Sequence, residues 1–332
     1  MVSPSVVICH HLLIYRTSAY MNLAILIVTY NCSLTESTTL NSLLHANLDS
    51  LSSVQLTIWN NGPTLYRDDD IEAFTQTTAD KRITATLYNT VGNFSLSKIY
   101  NNWISTTSAT HYIILDHDDV FETDFFTKLH AAQSYDVVVP ILKELNIQEI
   151  TSPTLRERRK SEDYFPTTEG PFTGEKISAL TSGLCLSKDF IEKFTKVYPT
   201  VFNENFALYR IDVCFFNDLT AYMNTYNNIS IAICNVVYHS QSEYTQESAA
   251  LIHFRALEHV YSGCLIRIHS RKKSVRSALR FLFFKSLKTF NTLSEFLLAL
   301  RCVITKKHPK ITAVHNSEFK NATTHPIRLK KL

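Results

Sequence analysis

Three aspartates follow one apolar run in this chain of 332 residues. The run Tyr112–Leu115 is typical of a strand, and Asp116, Asp118 and Asp119 come directly after it. Carboxylates this close repel one another unless they are protonated, hydrogen-bonded or neutralised by a cation. Oxygen ligands suit Mg²⁺ or Mn²⁺, and these ions often hold the phosphates of a substrate as well. The spacing therefore indicates a metal–diphosphate site, with an acidic turn that caps a segment from Thr123 as the structural alternative.

Strand-like and helix-like segments alternate through the first two thirds of the chain and would position these aspartates. The predicted strands are Ala24–Tyr30, Val54–Trp59, Arg82–Tyr88, Tyr112–Leu115, Asp136–Leu142, Ile177–Leu186 and Ile229–Tyr238. The predicted helices between them are Leu34–Asn47, Ser95–Ser105, Ser187–Val197 and Arg210–Tyr222. This alternation predicts an α/β fold with a mainly parallel central sheet flanked by helices. Ligands of such sheets bind where the strands end, which is where the aspartates fall.

Two segments depart from the alternation. Residues 150–178 are rich in Ser, Thr, Pro, Gly and charge, which predicts either a mobile loop that closes over an active site or a solvated insertion. From Ser242 to about Val303 the pattern becomes helical. Residues 1–20 make a poor signal peptide, so translation is expected to begin at Met21. The expected parts are an N-terminal extension (1–21), a catalytic domain (22–245), a helical C-terminal region (246–305) and a basic tail (306–332).

The net charge of +3 hides a division between an acidic body and a basic end. From Cys264 onward, 16 Lys and Arg face two acidic residues, a net of +14, whereas the preceding 263 residues carry −11. Basic residues interleaved with Phe and Leu predict a helix that lies on an anionic membrane surface, or one that packs on the catalytic domain with its basic side solvated. No nucleic-acid module accompanies the charge, so nucleic acid is not an expected partner. No apolar run reaches the roughly 18 residues of a membrane span.

The number and spacing of the cysteines indicate the cellular compartment of the protein. The seven cysteines are scattered and include no CxxC pair, so the sequence supports neither a disulfide framework nor a zinc site. A reducing cytosol is the expected environment.

Seven short motifs follow one another along residues 22–245. They are AILIVTYN (24–31), Asn60-Asn61-Gly62, Asn89 with Gly92 and Asn101, LDHDD (115–119), Ser182-Gly183, Asn205–Asp212 and Tyr238-His239-Ser240. In this order they resemble the family 2 type of GT-A glycosyltransferase, most closely the bacterial rhamnosyltransferase and galactofuranosyltransferase branch. The resemblance implies the GT-A nucleotide-diphospho-sugar transferase fold.

The resemblance also implies donor contacts at the ends of the first strands. Thr29 and Asn31 would contact the nucleotide. Asn60 stands where relatives usually carry an aspartate that accepts a hydrogen bond from the base. The stretch after Asn89 would run beside the nucleotide. Lys98 would help to neutralise the diphosphate, unless it is simply a solvated helix lysine.

For the metal, the resemblance implies a site shared between the acidic motif and a distant imidazole. Asp116 would face the ribose or the metal, and Asp118 would ligate Mg²⁺ or Mn²⁺ directly. Asp119 would lie behind them and cap the following segment. His239 would complete the protein ligands. Without the resemblance, a lone histidine is more often a surface or hydrogen-bonded residue.

Asp212 is the implied catalytic base. It would take the proton from the acceptor hydroxyl as that oxygen attacks the anomeric carbon with inversion, while the metal offsets charge on the leaving nucleoside diphosphate. Arg210, two positions earlier, would lower the pKa of Asp212. Glu204 is the nearest upstream rival. The structural alternative for Asp212 is an N-cap of a helix that starts at Val213.

The predicted function is sugar transfer from a nucleotide-sugar donor to a lipid-linked glycan acceptor, in synthesis of a bacterial surface polysaccharide such as O-antigen, lipopolysaccharide or capsule. The protein would be cytoplasmic and peripheral on the inner face of the cell membrane. A haloacid-dehalogenase-like phosphatase, with Asp116 as nucleophile and Asp118 as acid/base, is the alternative enzyme. That family generally places the acidic loop on its first strand, whereas three strands precede it here. A non-catalytic carbohydrate- or membrane-binding module is the third possibility.

Overall fold

The computed structural model describes residues 20–78, 83–239, 248–269 and 274–329, without the side chains of residues 78 and 286–288. The strands are β1 (Asn22–Thr29), β2 (Ser53–Asn61), β3 (Ile83–Thr90), β4 (His111–Asp116), β5 (Asp119–Phe121), β6 (Val137–Glu144), β7 (Ile150–Ser152), β8 (Thr154–Arg156), β9 (Gly170–Phe172), β10 (Lys176–Ser178), β11 (Cys185–Ser187), β12 (Ile231–His239) and β13 (Ile327–Leu329). The helices are α1 (Thr38–His45), α2 (Asp68–Thr78), α3 (Leu96–Thr106), α4 (Phe125–Ala131), α5 (Lys188–Thr195), α6 (Ile211–Tyr226), α7 (Ala249–Ile268), α8 (Val275–Thr289), α9 (Leu293–Thr305) and α10 (Ala313–Thr323).

One central sheet organises the chain in the order β13-β3-β2-β1-β4-β11-β6-β12-β5, with β7 beside β6 and β9 beside β12. The long neighbours pair in parallel: β1 with β2 and β4, β2 with β3, and β6 with β12. The short strands β5, β7, β9, β11 and β13 join antiparallel. The predicted α/β class, with a mainly parallel sheet flanked by helices, is confirmed.

Strand β1 shows why the sheet is buried on both faces. Successive side chains of a strand point to opposite sides, so Ala24 and Leu26 enter one core while Ile25 and Ile27 enter the other. All four side chains are fully buried. The continuous apolar run in the sequence is thus explained by helices on both faces of the sheet.

The segment 150–178 is more ordered than the sequence suggested. It contains β7, β8, β9 and β10, of which β8 and β10 form a separate antiparallel pair. The strand predicted at Ile177–Leu186 is wrong, because β10 ends at Ser178 and β11 begins at Cys185. The intervening turn includes Gly183, which has a left-handed φ of 73°. Helix α5 then begins at Lys188, with Ser187 as its N-cap.

The C-terminal third folds back onto the central sheet. Helices α7, α8 and α9 pack against one another. The residues expected as a basic tail include α10 and β13: Phe319 of α10 stacks on Trp59 with ring centroids 5.6 Å apart, and Leu329 of β13 pairs with Ala85 of β3. Residues 1–19, Arg82, Ser240 and 271–273, on which several predictions fell, lie outside the described residues. Among the helices that the structure describes, none is long and apolar enough to span a bilayer.

Candidate active site

The acidic motif sits at the end of β4, in the middle of the sheet. Strand β4 runs parallel to β1, and Asp116 lies level with Val28. The backbone after Asp116 is held by the start of α1: the Ser37 hydroxyl donates to the carbonyl of His117 at 2.8 Å, and the Thr39 hydroxyl accepts from the N–H of Asp119 at 2.8 Å. Two residues at a helix N-terminus therefore fix the turn that presents the carboxylates.

His239 reaches this turn through strand pairing. Strand β5 begins at Asp119 and pairs antiparallel with β12, which places His239 directly opposite Asp119. The His239 Nδ1 lies 2.9 Å from Asp119 Oδ1 and 3.7 Å from Asp118 Oδ1. The structure therefore brings together a histidine and an acidic motif that are about 120 residues apart, as the sequence predicted.

Asp119 is an internal support for the other groups. Its side chain is fully buried, and its Oδ2 accepts from the backbone N–H of Asp116 at 2.9 Å and from the Ser182 hydroxyl. The prediction that Asp119 caps the following segment is wrong, because α4 begins at Phe125, with Asp124 in the N-cap position. Sequence analysis identified Ser182 only as part of a motif; its hydrogen bond to Asp119 spans 63 residues and leaves no local signal.

The electrostatics of the cluster favour a bound cation. Burial, together with the charge of Asp119, raises the pKa of Asp116 to about 7. Burial disfavours the charged form of His239, but the hydrogen bond to Asp119 and the neighbouring carboxylates outweigh it and raise the pKa of His239 to about 10. Carboxylates crowded in this way gain from any positive charge placed between them.

The donor set fits a hard divalent ion. One ligand atom each from Asp116, Asp118 and His239 can be chosen so that all three lie within 4.8 Å of one another. Ligands at the roughly 2.1 Å typical of Mg²⁺ lie up to about 4.2 Å apart, so shifts of a few tenths of an ångström would close the shell. Because one imidazole nitrogen of His239 is hydrogen-bonded to Asp119, the ring is oriented as metal-binding histidines usually are.

A cleft of about 640 Å³ opens beside these groups. One wall is formed by strand ends and α3, and the opposite wall by the start of α7. Its lining residues are Val28, Tyr30, Asn61, Asn93, Leu96, Tyr100, Asp116, His117, Asp118, Leu208, Tyr209, Ala250, Leu251, Phe254 and Arg255. The α7 wall could not be predicted from the sequence, because that helix carries no recognisable motif.

The donor residues predicted on the first strands lie beside the cleft rather than in its lining. The Thr29 hydroxyl lies 2.6 Å from the Tyr66 hydroxyl, inside the fold. Asn31 adopts a left-handed φ of 50°, and its N–H donates to the carbonyl of Gly62 at 2.7 Å. The cleft is lined instead by Tyr30, between the two. The donor roles of Thr29 and Asn31 stay predictions.

The side chains of Asn60 and Asn89 are hydrogen-bonded to each other. The Asn60 Nδ2 donates to Asn89 Oδ1 at 2.9 Å and to the carbonyl of Thr64 at 2.7 Å, while its Oδ1 accepts from the N–H of Gly62 at 3.0 Å. The Asn89 Oδ1 also accepts a hydrogen bond from the N–H of Tyr66, and the Asn89 Nδ2 donates one to the carbonyl of Tyr66. These amides shape the turn after β2, and their contact with a base stays a prediction.

Lys98 is directed away from the acidic motif. It lies on α3, and its ammonium group donates to the side-chain oxygen of Asn316 on α10. Burial lowers the pKa of Lys98. It is not among the described residues that line the cleft. Its contact with a diphosphate stays a prediction.

Asp212 lies in the first turn of α6. The helix begins at Ile211, so Asp212 is not the N-cap; its Oδ1 accepts from the N–H of Val213 at 2.7 Å. Burial raises the pKa of Asp212 to about 6; Arg210 lowers it, as expected, but burial outweighs that effect. Its charge also helps to raise the pKa of Asp116, which indicates that the two carboxyls are neighbours.

Tyr100 and Glu204 help to decide which carboxylate is the better candidate for the base. The phenol of Tyr100, which lines the cleft, has its pKa raised by burial and by the charges of both Asp116 and Asp212. The rival base Glu204 instead accepts a hydrogen bond from Asn101 at 3.1 Å. Asp212 is therefore better placed than Glu204 to act together with the acidic motif.

Comparisons with known proteins gave only distant likenesses. No family model and no curated protein matches the chain. A crystal structure of S. aureus TarS aligns with 90% of this chain at 13% identity and a TM-score of 0.49, and the chain spans only 50% of that protein. A structure of the Pyrobaculum calidifontis mannosyltransferase PcManGT, in complex with GDP-Man and Mn²⁺, aligns at 10% identity and a TM-score of 0.46. That alignment covers 92% of this chain and 81% of the PcManGT chain. Because these TM-scores are below 0.5, the geometry of the site has to carry any functional assignment.

Proposed function

We propose that this protein is a metal-dependent, inverting glycosyltransferase of the GT-A type, which moves a sugar from a nucleotide-sugar donor to a hydroxyl group. The observation that carries the proposal is the convergence of Asp116, Asp118 and His239 at the ends of β4 and β12, beside a cleft large enough for a small-molecule donor. Such sites lie where ligands of open α/β sheets usually bind.

The residues have complementary tasks in this mechanism. Asp116, Asp118 and His239 would hold Mg²⁺ or Mn²⁺, and that ion would stabilise the negative charge on the leaving diphosphate. Asp119 orients the His239 ring through one carboxylate oxygen. The Ser182 hydroxyl donates a hydrogen bond to the other oxygen and holds Asp119 in place.

Proton transfer falls to Asp212. Its carboxylate would accept the proton of the acceptor hydroxyl while that oxygen forms the new bond to the anomeric carbon and the bond to the diphosphate oxygen breaks. The pKa of about 6 leaves Asp212 ionised at neutral pH but more basic than an ordinary carboxylate, which suits a general base. One displacement of this kind inverts the anomeric centre.

The finer parts of the proposal concern the sugar and the acceptor. The resemblance to the rhamnosyltransferase and galactofuranosyltransferase branch supports one of those sugars. The apolar wall formed by Leu208, Leu251 and Phe254 suits the methyl group of a deoxysugar such as rhamnose. We further propose a lipid-linked glycan acceptor, in bacterial surface polysaccharide synthesis at the cytoplasmic face of the membrane. No observation favours the phosphatase alternative.

Thermal unfolding with and without Mn²⁺ tests the assignment. UDP, GDP or dTDP should raise the Tm only when Mn²⁺ is present, and the matching nucleotide sugar should release its nucleoside diphosphate. Asp118→Asn should abolish the shift, whereas Asp68→Asn, at an exposed aspartate on α2, should not. A purified protein that none of the three nucleotides stabilises, with or without the metal, would refute the proposed function.

A further inference from the structure

Helix α9 carries two apolar faces, and only one of them is buried. Ala299, Cys302 and Val303 point inward and are completely buried. On the opposite side, Leu293, Leu297 and Ile304 recur at helical spacing and are 72%, 52% and 67% exposed. A helix that needs only one face for its core would not ordinarily present a second row of large aliphatic side chains to water.

Helix α8 adds to the same surface. Ala278 and Leu282 are buried, whereas the rings of Phe283 and Phe284 are 63% and 72% exposed. An apolar groove of about 500 Å³ lies between the outer sides of α8 and α9, lined by Leu279, Arg280, Leu282, Phe283, Phe284, Phe296 and Leu300. We call the exposed apolar residues of α8 and α9 the outer helical surface.

This surface begins next to the cleft. Helix α7 supplies the cleft wall through Leu251 and Phe254, and between them His253 Nε2 lies 2.9 Å from Glu295 Oε1 in the first turn of α9. Further along, Cys302 of α9 contacts the carbonyl of Tyr261. The two helices thus run in the same direction, so the start of α9 in the outer helical surface lies beside the start of α7, the part of that helix that lines the cleft.

The charge around this surface is almost entirely positive. Residues 248–312 contain 13 Lys and Arg but only two acidic residues. Both acids are engaged: Glu258 pairs with His308 at 3.0 Å, and Glu295 pairs with His253. Arg276, Arg280, Lys285 and Arg301 are exposed on the same two helices. A second copy that docked through the same surface would present the same positive charge, so an anionic lipid surface is the better complement.

We propose that the outer helical surface docks onto an anionic lipid bilayer, with Phe283, Phe284 and Leu293 entering the interface and the arginines facing lipid phosphates. This orientation holds the α7 side of the cleft close to the bilayer, where a lipid-linked acceptor would be presented. The role of the acceptor rests on the proposed function; the docking itself does not.

Vesicle flotation of the purified full chain tests the docking. We expect binding to phosphatidylcholine vesicles that contain about 30% phosphatidylglycerol and much weaker binding to phosphatidylcholine alone. Phe283→Glu with Phe284→Glu should reduce binding by roughly tenfold or more, because two apolar insertions are lost. Arg276→Gln with Arg280→Gln should reduce it roughly 30-fold on the anionic vesicles only. Val314→Glu, at a valine on α10 that is 69% exposed, is the matched control and should bind as the parent does.

Two outcomes would overturn the docking proposal. One is equal flotation of the parent and the Phe283→Glu, Phe284→Glu variant. The other is a concentration-dependent dimer in analytical ultracentrifugation that this variant disperses, which would assign the surface to a second copy. Flotation needs neither donor nor metal, so its failure alongside intact release of nucleoside diphosphate would remove the docking and leave the proposed function standing.

Discussion

Asp212→Asn should make the protein more stable and at the same time inactive. The substitution preserves shape, and the asparagine Oδ1 can still accept the hydrogen bond from the N–H of Val213. What it removes is a negative charge that burial disfavours, as the raised pKa of about 6 indicates. A gain in stability combined with a loss of activity is the behaviour expected of a functional residue in an unfavourable environment.

The size and sign of the stability effect follow from proton linkage. The folded carboxyl keeps its proton up to about pH 6, whereas the unfolded one releases it near its ordinary value of 3.8. Between these values the native state binds more protons, so stability falls as the pH rises, and the loss is complete above about pH 7. A difference of about two pKa units corresponds to at most about 3 kcal/mol. Asp212→Asn should recover that free energy at pH 8 and almost none of it below about pH 3.

The assay pairs thermal unfolding with donor turnover. At pH 8, without added metal, the Tm of Asp212→Asn should rise by roughly 5–10 °C, and release of nucleoside diphosphate should fall about 10²- to 10⁴-fold. Asp218→Asn is the matched control, because Asp218 lies on the same helix and burial raises its pKa to about 6 as well. It should gain stability similarly and keep its activity. Full activity in Asp212→Asn would remove the base assignment, and a lower Tm at pH 8 would refute the burial argument.

The remaining predictions concern the metal cluster and its support. His239→Ala should abolish the Mn²⁺-dependent binding of UDP or GDP in calorimetry while circular dichroism stays native; undiminished binding would exclude His239 as a ligand. Ser182→Ala deprives Asp119 of a hydrogen-bond donor and should weaken Mn²⁺ binding roughly 10- to 100-fold, and unchanged affinity would limit Ser182 to a structural role. Gly183→Ala should lower the free energy of unfolding by about 2 kcal/mol or more in urea titration, because φ is 73° and a Cβ would lie 2.5 Å from Pro140 Cγ; a neutral result would contradict that clash.

The sequence predicted the parts of the site that strand ends determine. The apolar run before Asp116 and Asp118 predicts a metal site at a strand end, whereas His239 was assigned to the same site only through the family resemblance. The roles of Asp119 and Ser182 were not predictable in the same way. They depend on the register of three-residue strands, which carry too few residues for a periodic pattern and obtain their stability from neighbours far away in the chain.

The direction in which individual side chains point was also not predictable from the sequence. Successive residues of a strand point to opposite sides, so an uncertainty of one position exchanges Thr29 for Tyr30 and Asn60 for Asn61 in the cleft lining. The apolar wall from α7 was hidden for a different reason. Leu251 and Phe254 look like core residues in sequence, and only the packed helix shows that they face an open cleft.

The last strand has a consequence for how the chain is made. Until β13 is synthesised, β3 is an open edge with unpaired backbone groups, and the indole of Trp59 lacks the Phe319 ring that covers it. Open edges invite pairing with other chains. Synthesis must therefore pass Leu329 before this edge of the sheet is paired, and deletion of residues 313–332 would produce an aggregation-prone protein even though every proposed catalytic group is retained.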